Sequence, residues 1–110
     1  MIYRLSYYNE TVEAEFDDWP VGLRARLRAL TIRMAAHGPN LGMPHTRALG
    51  DGLFEIRAKA DERIGRAFFC TLIGRKIVIL HGFIKKTDKI PKRELDIARS
   101  RLKEVLNNEL

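Results

Sequence analysis

The spacing of apolar positions along the chain changes period several times, and each change predicts an element. Residues Ile2 to Tyr8 form an aromatic-rich run that predicts a β-strand. Asn9-Glu10-Thr11-Val12-Glu13 then supplies a cap and early acidic residues for a short helix, which Asp18-Trp19-Pro20 breaks. Leu23, Leu27, Leu30 and Met34 share one side of a second helix from about Val21 to Ala36, stopped by His37-Gly38-Pro39. Residues 40–52 carry Gly42, Pro44, Gly50 and Gly52 and predict an ordered loop. Strands follow near 53–59, 64–72 and 76–84. Pro91 suits the first position of a last helix reaching about Leu106, with Leu95, Ala98, Leu102 and Val105 as its apolar stripe. The order βααβββα predicts an α+β fold over residues 1–110, one domain with a mainly antiparallel sheet and its helices packed on one face.

The turns set an expected register. If Gly74-Arg75 is a two-residue hairpin loop, Leu72 faces Ile77, Cys70 faces Ile79, Phe68 faces His81 and Arg66 faces Phe83. A two- or four-residue connection around Asp61-Glu62 puts Arg57 opposite Arg66, and period-two alternation keeps Lys85 on the same face. An odd loop length undoes this. Two arginines directly opposite repel, and a sheet gains nothing from the pair unless a polyanion, or acidic neighbours such as Glu55, lie nearby. A phosphate site is the functional reading.

Composition narrows the setting. The chain has 110 residues, 45% of them apolar, enough for a core without staples. A single cysteine, Cys70, excludes a disulfide framework, and no cysteine–histidine cluster suggests a metal or other cofactor. A cytoplasmic location is expected, since neither a signal segment nor an apolar run of roughly 18 residues is present. Twenty basic against 14 acidic side chains give a net charge of +6, which favours polyanionic partners.

Leu53-Phe54-Glu55-Ile56-Arg57, Gly65-Arg66-Ala67-Phe68-Phe69 and Ile79-Leu80-His81-Gly82-Phe83-Ile84-Lys85-Lys86-Thr87, followed by Pro91 and Ala98, resemble the phage-derived, HigB-type branch of the RelE/ParE toxin superfamily. The resemblance implies a RelE-like fold and the toxin of a type II toxin–antitoxin pair, an endoribonuclease cutting mRNA on translating ribosomes. It also implies a cognate helix-turn-helix antitoxin in a hetero-oligomeric complex. Several members of that superfamily carry a tyrosine or histidine near the C-terminus for proton transfer. Here the last tyrosine is Tyr8 and the last histidine His81, so either the role falls to His81, to a lysine or to the ribosome, or catalysis is weak.

Metal-free RNA cleavage deprotonates the 2′-hydroxyl, stabilises charge on the phosphorus and protonates the leaving 5′-oxygen. Arg57 and Arg66 offer planar forks to phosphate oxygens. Lys85 and Lys86 supply further phosphate contacts or proton transfer, and His81 is the imidazole to test for the latter. Phe83 is a candidate base-stacking platform, with Lys89 and Lys92 as RNA contacts. The bland reading makes Arg57 and Arg66 surface cations, His81 and Phe83 core residues, and Lys85, Lys86, Lys89, Lys92 and Arg93 a solvated turn. Arg24, Arg26, Arg28 and Arg33 read as a solvated helix side that also suits ribosomal RNA. Trp19, His37 and His45 read as structural, and Cys70 as core. Two rival functions stand beside the ribonuclease: a ParE-like gyrase poison, which has no use for paired arginines, and an RNA- or protein-binding module without turnover.

Overall fold

The computed structural model describes residues 2–87 and 89–108. Strand β1 (Arg4–Tyr7) leads into helices α1 (Glu10–Asp17) and α2 (Val21–His37), and then into strands β2 (Thr46–Gly50), β3 (Leu53–Ala60), β4 (Arg63–Leu72) and β5 (Lys76–Lys85). Helix α3 (Lys92–Asn108) follows. The sheet runs β1-β5-β4-β3-β2, with β1 parallel to β5 and the other pairs antiparallel.

The α+β class and the mainly antiparallel sheet are as expected, with two corrections of detail. The order is βααββββα, because Thr46–Gly50, expected as loop, pairs with β3 as an edge strand bulged between Ala48 and Gly50. Its glycines and the preceding proline read as loop punctuation, yet an edge strand tolerates them. The loop before it is ordered as expected, since Thr46 Oγ1 accepts the Leu41 and Gly42 N–H groups at 2.9 and 3.0 Å. The helices also do not share one face. Leu23, Leu27, Leu30 and Met34 of α2, with Val12 and Phe16 of α1, pack on Ile56, Ala67, Phe69 and Ile79. Ala98 and Leu102 of α3 pack on Leu53, Phe68, Cys70 and Leu80, the other side. Two-sided cover explains why β4 is buried without interruption from Ile64 to Cys70.

Two glycines let α1 and its C-terminal turn close onto the sheet. A Cβ on Gly82 would stand 2.3 Å from Phe16 Cζ, and one on Gly65 would stand 2.5 Å from Trp19 Cζ3. The Phe16 and Trp19 rings touch each other, centroids 4.7 Å apart, over this flat patch. At the start of α1, Asn9 Oδ1 accepts the Val12 N–H at 2.9 Å. Asn9→Ala should therefore lower stability by about 1 kcal/mol in urea unfolding. An unchanged midpoint would show that the cap is not needed.

Both hairpins shape the register. Asp61 and Glu62 have φ of 51° and 64° and form a two-residue turn, so Arg57 stands opposite Arg66. The β4–β5 connection is one residue longer than expected. Leu72 pairs with Lys76 and Cys70 with Val78, replacing the expected partners Ile77 and Ile79. Between the pairs Phe69–Ile79 and Phe68–His81, β5 carries an extra residue, Leu80, as a bulge. The bulge restores the expected pairs Phe68–His81 and Arg66–Phe83, and places Lys85 opposite Ile64.

Candidate functional site

On the α3 side of the sheet, cross-strand pairing lays side chains in rows. Arg47, Glu55, Phe68 and His81 form one row, and Arg57, Arg66 and Phe83 the next. Lys59, Ile64 and Lys85 form the third, at the end of the sheet. Strands β2, β3, β4 and β5 thus gather arginines and lysines from positions up to 38 residues apart in sequence.

Glu55 is the anion among them. It is wholly buried, and both of its oxygens accept from Arg66 Nη1, at 3.3 and 3.2 Å. Arg47 Nη2 reaches the same carboxylate at 2.9 Å from the edge strand, with 41% of its side chain exposed. Two guanidiniums, those of Arg47 and Arg66, therefore hold one carboxylate, with Arg57 opposite Arg66 in the next row. Arg66 is itself fully buried, and its Nη2 also donates to the Thr87 carbonyl at 3.5 Å, in the segment after β5. Glu55 offsets the repulsion expected between the opposed arginines. Glu55 is thus the acidic neighbour that the sequence offers, whereas the place of Arg47 is visible only once β2 is recognised as a strand.

His81 is tied to α3. Its Nε2 lies 3.0 Å from Glu94 Oε1, and its Nδ1 lies 3.5 Å from Arg101 Nη1. A guanidinium only donates, so Nδ1 accepts and Nε2 carries its proton toward Glu94. Arg101 also donates to the Leu80 carbonyl at 2.8 Å and lies 4.9 Å from the Tyr8 ring centroid. The Tyr8 hydroxyl donates to Glu104, and that bond holds its phenol above the ordinary value. These contacts clasp α3 onto the bulged part of β5.

Phe83 is 8% exposed and lies beside Phe68, centroids 5.7 Å apart, so the expectation that it stacks on a base is corrected: the ring is core. Lys85 and Lys86 are exposed at the end of β5, beside the arginine row. Lys89 is exposed in the connection to α3, whereas Lys92 pairs with Asp96 of its own helix at 2.7 Å.

The segment before β2 completes this end of the molecule. The Arg57 N–H donates to the His45 carbonyl at 2.8 Å, holding that segment along the edge of β3. A cleft of about 300 Å³ opens here, lined by Arg26, Pro44, His45, Arg57, Lys59 and Ile64.

A family model described as Phage derived protein Gp49-like (DUF891) matches residues 14–103. The chain belongs to this family. Comparison with curated proteins gave no match. Among solved structures, the Gp49-like chain is similar to the archaeal RelE of a RelE–RelB complex from Pyrococcus horikoshii OT3. There the TM-score is 0.57 at 15% identity, over 81% of this chain and all of that one. It is also similar to E. coli toxin RelE in the free state, in a form with two arginines replaced by alanine. That match has a TM-score of 0.53 at 14% identity, over 74% of this chain and 82% of that one. The Gp49-like protein thus has a RelE-like fold. The family match spans both arginine rows, Lys85, Lys86 and the contacts among His81, Glu94 and Arg101, and leaves out Tyr8 and Glu104.

Proposed function

We propose that this Gp49-like protein is the toxin of a type II toxin–antitoxin pair and cleaves mRNA on the translating ribosome, of the HigB type. The observation that carries this reading is the single cationic sheet face, Arg57 and Arg66 opposed with Lys85 beside them, on a RelE-like fold. Arg57, half-buried at the edge of the row, stabilises the charge that develops on the phosphate during attack by the 2′-hydroxyl, while Arg66, fully buried against Glu55 and the Thr87 carbonyl, is a positioning residue behind it. Lys85 and Lys86 hold the phosphate and move protons. His81, with both ring nitrogens taken by α3, positions β5 beside them and is not the proton carrier. The partner is a small helix-turn-helix antitoxin, in line with the complex in which the archaeal RelE is found.

Primer extension on mRNA, with and without translating ribosomes, tests the reading. Wild type should cut at discrete positions only with ribosomes. Arg57→Gln and a Lys85→Ala/Lys86→Ala double variant should each slow cutting by about 100-fold or more while keeping the wild-type melting temperature. Cleavage absent from the folded wild type, or undiminished in both variants, removes the assignment.

A further inference from the structure

Arg26 and His45 read from sequence as a solvated helix arginine and a structural histidine. The fold brings them together with Arg57 and Lys59 around one cleft, and among the described residues the ionisable groups that line it are all basic. Among those residues its lining includes no carboxylate, whereas the groove between α1, α2 and β1 mixes Asp17 with Arg24 and Arg28. Four parts of the chain line the cleft. Helix α2 gives a guanidinium, the segment before β2 a proline and an imidazole, β3 a guanidinium and an ammonium, and β4 the apolar side chain of Ile64.

Arg57 belongs both to this cleft and to the row that faces Arg66. From Lys85 through Ile64 to Lys59 the sheet face spans two strand spacings, about 10 Å. The cleft lies just beyond Lys59, at the edge of β3 that β2 leaves uncovered after the pair Thr46–Ile56. A single strand held by Lys85 and the arginines would therefore run directly into it. The volume is at the lower end of ligand pockets, which suits one nucleotide and not a duplex. Pro44, His45 and Ile64 offer flat or apolar surface for an unstacked base, while Arg26 and Lys59 stand where its flanking phosphates pass.

We propose that this cleft is a nucleotide-binding subsite that holds one unpaired nucleotide next to the phosphate at Arg57. The proposal rests on the ribonuclease reading above and extends it to the path of the RNA. It makes the protein select single-stranded RNA by shape, with His45 the residue that touches the base.

The test is binding of a fluorescein-labelled single-stranded RNA oligonucleotide, followed by anisotropy across a series of salt concentrations. Arg26→Gln and Lys59→Gln should each reduce the slope of log affinity against log salt by about 0.7, one phosphate contact on a single strand. Lys76→Gln and Lys103→Gln, exposed on β5 and α3, are the controls and should leave the slope unchanged. His45→Ala should keep the slope, weaken binding about fivefold or more, and alter which bases flank the cleavage positions. A hairpin duplex of the same length should show no difference between wild type and Arg26→Gln. If wild type binds and cuts RNA but Arg26→Gln and Lys59→Gln behave as the controls do, the subsite is overturned and the ribonuclease reading stands. If wild type neither binds nor cuts, both fall together.

Discussion

Arg66→Ala should cost about 3–5 kcal/mol in urea unfolding, because it leaves Glu55 wholly buried without the guanidinium that both its oxygens engage. That is a large part of the 5–15 kcal/mol that holds an ordinary domain together. The same substitution is the obvious test of catalysis, and its loss of activity would be ambiguous. A Glu55→Leu/Arg66→Met pair separates the two effects. With the carboxylate gone together with its partner, the double variant should recover most of the lost stability, while cleavage should stay reduced if Arg66 positions Arg57 and the segment after β5 as proposed. A loss below about 1 kcal/mol in Arg66→Ala would show that Arg47 alone keeps Glu55 satisfied. A double variant no more stable than the single one would show that the carboxylate was not the cause.

Gly82→Ala should be the second large effect. One methyl group is added, yet it meets Phe16 Cζ at 2.3 Å and the Arg66 carbonyl at 3.1 Å, and neither α1 nor the ladder between β4 and β5 yields without strain. The expected loss is about 1–3 kcal/mol, read as a drop in melting temperature of roughly 5–15 °C. Phe16→Leu in the same molecule should relieve part of it, so the two changes should be clearly non-additive. Additive losses would mean that the strain lies in the strand backbone and not against the ring.

Particular residues show what the sequence makes legible. Arg57 and Arg66 are brought opposite each other by a turn of Asp61-Glu62, and turn length is a local property that can be read directly. The α2 stripe was equally plain, since four large apolar side chains recur at helical spacing. Strand β2 was hidden because Gly50, Gly52 and Pro44 signal loop more strongly than four or five edge residues signal strand. With β2 hidden, Arg47 had no place beside Glu55. The side of the sheet taken by α3 was also hidden, since an apolar stripe does not name its partner surface. The near-unbroken apolar run of β4 was a usable sign of two-sided burial, interrupted only at Arg66. Helix-borne and loop-borne groups such as Arg26 and His45 were beyond reach, because their meeting with Lys59 depends on tertiary packing alone.

The extra residue at Leu80 sets the parity of everything after it. Counted from an odd-length hairpin tip without that bulge, Arg66 would face Gly82, and the side chains of His81, Phe83 and Lys85 would project toward α1 and α2. Tip and bulge are therefore a matched pair of single-residue offsets that cancel before the chemistry begins. A one-residue deletion in 73–75 that keeps the pair Leu72–Lys76 leaves the cationic face unchanged, whereas return of Leu80 to the ladder with the tip unaltered turns that face over. A single residue, five to seven positions after the tip, thus decides on which side of the sheet the chemistry lies.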